Sequence, residues 1–351
     1  MKTEAKKANE DLDRLLRQKW MSGTWRLNRE ERPLDPATTV KPHLWKWADI
    51  YDALLQARDR IGIARGSAER RAIRLVNPGM AETEMTSHTM LFAFQLIQAG
   101  ELAPAHRHTM TAIRFILQGK GGYTNVEGQK MVMEEGDLIL TPQWNWHEHA
   151  HEGKEPMIWI DGLDVPLIKA LQVISFEPYP GTRIPVKDSP HLAPHYGMTR
   201  PVASTSEALP RPLHYHWRDT HLSLRHLAER EPHPFDGVAL EYVNPLTAGP
   251  TLPTLSCWVQ MLPPATRTQV HRHTSTTIYH AFYGSGTTVI NGEPFHWDKG
   301  DTFVVPLWSW HEHANRSATE DAVLFSMNDA PVLKAFGLYR EEGQGESHIG
   351  L

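Results

Sequence analysis

Two hydrophobic rhythms divide this chain. Between residues 76 and 165, and again between 236 and 330, short apolar runs recur. "AIRFILQG", "DLILTP" and "EPMIWIDG" stand in the first region, "DTFVVP" and "DAVLFSMN" in the second. Each is bounded by Gly, Pro, Asn or Asp, the mark of short strands closed by turns. Many such strands at regular spacing predict a mainly β fold of sandwich or barrel type. Outside them the rhythm changes. "NEDLDRLLRQKW" and "HLWKWADIYDALLQARDR" space their apolar residues as helices do. Parts of 166–235 do so too, among many prolines and histidines. The pattern predicts a helical N-terminal segment (1–75), a first β unit (76–165), a mixed connector (166–235), a second β unit (236–330) and a tail (331–351).

The two β units are copies. Residues 106–119 read "HRHTMTAIRFILQG" and residues 271–284 read "HRHTSTTIYHAFYG". Further on, "GDLILTPQWNWHEHAH" (136–151) matches "GDTFVVPLWSWHEHAN" (300–315). In both, Gly-Asp opens the segment, a proline stands six residues after the glycine, and W-x-W-H-E-H closes it. The copies differ in length by one residue between these motifs, in hairpin-like stretches where insertions are tolerated. Such self-similarity marks a repeat of one structural unit.

Strand parity then orients the side chains. If residues 106–116 form one unbroken strand, His106, His108, Met110, Ala112, Arg114 and Ile116 share a face. His147 and His149 share a face on a later strand, and His151 ends that strand, where solvent is expected. Two histidines from one strand and one from another can converge inside a small barrel, whose interior fits side chains or one small ligand. A lone buried histidine is ordinarily a hydrogen-bonded core residue. Here H-x-H, a later His and matching Gly and Pro landmarks point instead to a divalent metal, which satisfies the converging ring nitrogens. His271, His273 and His311 offer a second trio, open at this stage between a metal site and a packing or oligomerisation unit. Tyr279 stands where its copy has Arg114, and His280 has the opposite parity.

Charge and composition narrow the classes. The net charge is -5, with no basic arm or stripe, so no nucleic-acid partner is expected. Of 21 histidines, nine cluster at the matched motifs. One cysteine, Cys257, excludes a disulfide framework and suits a reducing compartment. The charged N-terminus has no apolar leader, and no apolar run approaches the ~20 residues that span a bilayer. A cytoplasmic protein with no membrane partner is expected.

These motifs resemble the two motifs of the cupin superfamily: H-x-H, three or four residues, Glu, six residues, Gly; then Gly, five residues, Pro and a later His. The Gly, Pro and His positions match twice, so the chain resembles a bicupin of two double-stranded β-helix (jelly-roll) barrels. The motif glutamate is missing: Ala112 and Thr277 stand there. "PAHRHTMTAIRFILQGKGGYT", "TPQWNWHEH" and "IWIDGLDVPL" further resemble the gentisate, salicylate and 1-hydroxy-2-naphthoate 1,2-dioxygenase group. That resemblance implies one Fe(II) held by His106, His108 and His147 in barrel one, a homotetramer, and a small aromatic hydroxy acid cleaved with O2. The extradiol-type cleavage falls between the carboxylate-bearing carbon and its hydroxyl-bearing neighbour. Gentisate, giving maleylpyruvate in aromatic catabolism, is the expected substrate, because its second hydroxyl donates electron density. Salicylate and 1-hydroxy-2-naphthoate are the alternatives.

The missing glutamate has a physical reading. Three neutral imidazoles leave a divalent ion its full charge. A 2-hydroxybenzoate chelating through carboxylate and ortho oxygen brings up to two negative charges, which favours the pair in a low-dielectric barrel. A buried guanidinium is unfavourable beside a bare cation but becomes a charge-assisted donor beside that anion, the expected role of Arg114. The ordinary alternative is a surface salt bridge. Gln95, in "LFAFQLI", either caps a core hydrogen bond or contacts substrate. Arg70, in "ERRAIRL", loosely matches a substrate-side arginine of the group. His149 is a candidate donor or acid/base. Asp161, in "IDGLD", matches a group position facing the distal ring hydroxyl, or else is plain Asp-Gly turn chemistry. Two other classes compete: a zinc or manganese isomerase, and a non-catalytic metal-binding bicupin that takes a small anion.

Overall fold

Alternating strands close barrel one from two facing sheets, as the period-two pattern requires. The structure is a computed structural model and describes residues 2–26, 33–61, 71–187, 213–230 and 232–345. One sheet of barrel one has six strands, in the order His214–Tyr215, Leu138–Thr141, Ala112–Gln118, Met157–Leu163, Leu91–Ile97 and Ala72–Arg74. The facing sheet has five, in the order Phe176–Pro178, Leu102–His108, His147–His151, Gly122–Val126 and Gln129–Val132. Barrel two repeats the arrangement with six and five strands. Met1–Ala37 forms a unit of its own, in which the expected helix runs Lys2–Gln18.

The segment expected to be helical before residue 76 also supplies sheet edges. His43–Trp45 pairs with Thr302–Val305 of barrel two, not with barrel one. Reciprocally, His214–Tyr215 from the connector pairs with Leu138–Thr141 of barrel one. Each edge strand leads into a helix, Trp47–Arg60 or Trp217–Leu227. The Gly-Asp pair of the repeat receives that junction. Gly136 (φ 85°) leaves room for the Trp217 indole, whose Cγ would lie 2.4 Å from an added Cβ, and Gly300 (φ 94°) does the same for Trp47 at 2.5 Å. Asp137 accepts from Trp217 N (2.9 Å) and Asp301 from Trp47 N (2.8 Å). Each carboxylate therefore sits at a helix N-terminus, where orphan amides and the helix dipole favour it.

The outer faces of the two six-stranded sheets bury one common core. Phe115 stacks on Phe325 with centroids 4.0 Å apart and planes 8° apart. Gly162 permits the approach, because an added Cβ would lie 2.3 Å from Met327 Sδ. Two buried aspartates tie the barrels reciprocally. Asp164 accepts from Thr254 Oγ1 (2.7 Å) and Asp329 from Thr89 Oγ1 (2.6 Å). Burial pushes both carboxyls up, and these hydrogen bonds oppose the shift. His280 has the outward parity expected of it and is buried beside Phe94 across this interface.

The unbroken strand expected over 106–116 is not found. The chain leaves the five-stranded sheet after His108, turns, and enters the six-stranded sheet at Ala112. The turn is fixed by backbone needs: Asp164 Oδ1 takes Thr111 N at 2.8 Å, and Ser175 O takes Thr109 N at 3.1 Å. His106 and Arg114 thus stand on opposite walls of the barrel, not on one face of one strand.

Candidate metal centre in barrel one

His106, His108 and His147 come together in the interior, all buried. One ligand atom from each lies within 4.8 Å of the others. His106 and His147 stand opposite each other in the register of adjacent strands. Each Nδ1 meets a backbone carbonyl: Pro104 O (2.8 Å), Met110 O (2.9 Å) and Asn145 O (2.9 Å). A carbonyl only accepts, so each Nδ1 is the donor and Nε2 is the nitrogen that would bind a metal. This donor set, three neutral imidazoles of fixed tautomer, fits a divalent transition metal. Ala112 lies across the sheet from Thr141 and Leu163, so no carboxylate joins the trio from the motif's glutamate position.

The facing wall carries the other residues. Arg114 stands opposite Asp161 in the register, with Nε 3.1 Å from Oδ1 and its side chain only 1% exposed. Its Nη1 donates to Thr141 Oγ1 at 2.6 Å. Burial pushes the guanidinium's pKa down, and the Asp161 charge pushes it up. The surface salt-bridge alternative for Arg114 therefore falls. Asp161 also accepts from Trp159 Nε1 at 3.1 Å. It lies inside the strand Met157–Leu163, so the Asp-Gly turn alternative falls as well. Trp159 continues toward the trio: its ring lies 5.9 Å from His149, which lies 5.8 Å from His147.

Gln95 is fully buried opposite Trp159, and neither its amide oxygen nor its nitrogen has a hydrogen-bond partner among the described residues. Among the described residues it caps no core hydrogen bond. His149 is buried, with Nδ1 held 2.9 Å from Thr124 Oγ1. His151 is not solvated as expected: it is buried, with Nε2 2.5 Å from Glu155 O. Arg70 lies outside the described residues. Its neighbour Arg71 is buried and paired with Glu101.

Sequence reasoning missed what the W-x-W-H-E-H letters do. Trp144 and Trp146 flank the Arg107 guanidinium at 4.5 and 4.3 Å, and Trp308 and Trp310 flank Arg272 at 4.2 and 4.5 Å. The arginine between the two histidines is thus a stacked clamp. It fixes the H-x-H strand against the loop that leads to the third histidine. Trp144 adopts φ 61° and donates its backbone N–H to His108 O at 2.8 Å, and Trp308 repeats this with φ 57° and His273 O at 2.7 Å. The Glu of the motif, Glu148 or Glu312, is buried and pairs with Arg183 or Arg267. The signal was the repetition of HRH with WxW in both copies.

Residues 93–165 and 258–328 each match the cupin domain family. The chain is 44% identical over 327 residues to a 5-aminosalicylate 1,2-dioxygenase from Comamonas, covering 92% of this chain and 87% of that protein. It is 35% identical to a gentisate 1,2-dioxygenase from Aquipseudomonas alcaligenes, over 90% of this chain and 91% of that one. The solved salicylate 1,2-dioxygenase from Pseudoaminobacter salicylatoxidans, with gentisate, superposes with a TM-score of 0.84 at 31% identity, covering 97% and 94% of the two chains. The chain belongs to the bicupin ring-cleaving 1,2-dioxygenase family.

In this bicupin dioxygenase the second trio, His271, His273 and His311, is also brought together and buried. Burial holds His271 down at about 3 and His311 well below the ordinary imidazole value, so both rings are neutral. The surroundings differ from barrel one. Tyr279 and Ser326 face each other where Arg114 and Asp161 do, so both members of the ion pair are replaced together. Cys257 is buried, and burial pushes its thiol up to about 12, which makes it inert as a nucleophile.

Proposed function

We propose that this dioxygenase cleaves a salicylate bearing an electron-donating group para to its hydroxyl, with gentisate to maleylpyruvate as the first assignment. The observation that carries the reading is the buried Arg114–Asp161 pair on the wall facing the trio. The two charges cancel, so the wall adds no net charge, and the divalent charge of a bound metal remains for a chelating hydroxybenzoate to neutralise. Fe(II) held by His106, His108 and His147 would supply the redox chemistry with O2. The chain's own residues bind and orient. Arg114 offers charge-assisted hydrogen bonds to the substrate carboxylate. Gln95, whose amide has no partner among the described residues, offers a donor and an acceptor to the ring substituents. His149, held by Thr124, serves the phenolic proton, and Asp161 sets Arg114 and reads the distal substituent.

The 44% relative acts on 5-aminosalicylate, which favours that compound as a second reading. An amine para to the hydroxyl donates electron density as the gentisate hydroxyl does. Steady-state kcat/KM on gentisate, 5-aminosalicylate, salicylate and 1-hydroxy-2-naphthoate tests the assignment. The first two are expected to exceed salicylate by at least tenfold, and a preference for either of the last two would overturn it. We further place the enzyme in the cytoplasm, in keeping with its lone buried cysteine. A homotetramer accords with the exposed apolar run of Leu171, Val173, Ile174 and Phe176, and light scattering on the purified protein tests it.

A further inference from the structure

A cavity of about 730 Å³ opens in barrel two, and His271 and His273 line it. That volume lies within the range of small-molecule sites. His311 Nε2 and His313 Nε2 are buried with no hydrogen-bond partner among the described residues. Two unpaired ring nitrogens in one interior are costly unless something binds them. Nδ1 of His311 is held by Ser309 O (2.9 Å) and Nδ1 of His273 by Ser275 O (2.9 Å), so Nε2 is the nitrogen each would offer a metal. Gln260, buried on the cavity wall, has an amide nitrogen with no partner among the described residues. Two histidines of the trio and a donor unpartnered among the described residues thus share one cavity wall.

The charges around this cavity are not those of barrel one. Asp236, Glu241 and Glu341 line it against one lysine, Lys334. His233 is already held by Asp236 at 2.9 Å. A divalent ion here meets built-in negative charge, whereas in barrel one Arg114 and Asp161 cancel and the ligand must bring that charge. An anionic chelator would face three carboxylates and no arginine among the described residues that line the cavity. Hydroxyl and amine groups would instead find acceptors in the carboxylates and Tyr279.

We propose that barrel two is a second, separate site, in which His271, His273 and His311 hold a divalent transition metal and the cavity takes a neutral or cationic ligand bearing hydroxyl or amine groups. Its ligand class is opposite to the hydroxybenzoate anion assigned to barrel one. The second site therefore does not repeat the reaction of the first.

The test uses anaerobic Co(II) loading, so neither metal content nor ligand binding is read through turnover. Metal analysis of the wild-type protein is expected to give two Co(II) per chain, against one in His106→Ala/His108→Ala and one in His271→Ala/His273→Ala. The Co(II) visible spectrum is then titrated with 2-aminophenol, a neutral chelator, and with salicylate, an anionic one of similar size. With only barrel two loaded, 2-aminophenol is expected to bind at least tenfold tighter; with only barrel one loaded, the order reverses. Gln260→Leu should keep two Co(II) and weaken 2-aminophenol several-fold. One Co(II) per wild-type chain, a count that needs no variant to fold, overturns the second metal site. Salicylate binding tighter in barrel two overturns the ligand class. Either result leaves the barrel-one dioxygenase reading standing.

Discussion

Arg114 and Asp161 face each other across one sheet of barrel one, Nε to Oδ1 at 3.1 Å, with side chains 1% and 7% exposed. Removing one member strands the other's charge in the interior, at a cost of roughly 3–5 kcal/mol. Asp161→Asn is therefore expected to lower the urea midpoint markedly, while Asp161→Asn/Arg114→Met recovers most of the loss. Both variants should keep the metal of barrel one and lose turnover. Unchanged stability in Asp161→Asn would show that the pair is not a buried unit.

His108→Ala removes one of three imidazoles at the barrel-one trio. Metal analysis after Fe(II) loading should show barrel-one iron lost, with activity down by at least a thousandfold. Full activity in this variant would put the catalytic metal elsewhere.

Gln95→Leu separates a binding amide from a packing one. The amide is buried with neither end bonded among the described residues, so an apolar isostere should leave stability unchanged or raise it by up to about 1 kcal/mol. Substrate KM is expected to rise about tenfold, the loss of one or two hydrogen bonds worth about 1 kcal/mol or more in total. A large drop in stability with unchanged KM would make Gln95 a structural residue.

His280 gives a pH dependence. Burial between the barrels, with a smaller contribution from Lys299, holds its imidazole at about 3 against an ordinary 6.5, and Nδ1 meets Thr302 Oγ1 at 3.0 Å. Below pH 6.5 the unfolded chain takes a proton that the folded chain refuses. Stability from this residue is complete above pH 6.5 and falls as pH drops from there toward about 3. Between pH 7 and 5 the loss approaches about 2 kcal/mol. His280→Gln should lose that much less over the same interval in urea titrations, and identical pH profiles would contradict the neutral buried imidazole.

The convergence of His106, His108 and His147 was legible because metal chemistry restricts residue types and the repeat printed the pattern twice. The β class was legible from short apolar runs closed by turn residues. Three things were not. The inward direction of Arg114 was inferred across a strand break, and it held for another reason: Arg114 belongs to the opposite sheet, where Asp161 faces it. The exchange of His43–Trp45 and His214–Tyr215 between barrels depends on pairing over long sequence distances, which no local period encodes. Yet the Gly-Asp pairs that receive Trp47 and Trp217 were visible as a repeat whose purpose had no local explanation. The stacking of Arg107 between Trp144 and Trp146 was likewise hidden, because a strand residue and a loop residue meet only once the barrel closes.

The central claim is that barrel one is a metal-dependent, ring-cleaving site for hydroxybenzoate anions. Oxygen uptake by anaerobically Fe(II)-loaded protein, with heavy-isotope O2 and mass analysis of the product, tests it most directly. The expected result with gentisate or 5-aminosalicylate is one O2 consumed per substrate and both oxygen atoms in a ring-opened product. No uptake with any of gentisate, 5-aminosalicylate, salicylate or 1-hydroxy-2-naphthoate would contradict it.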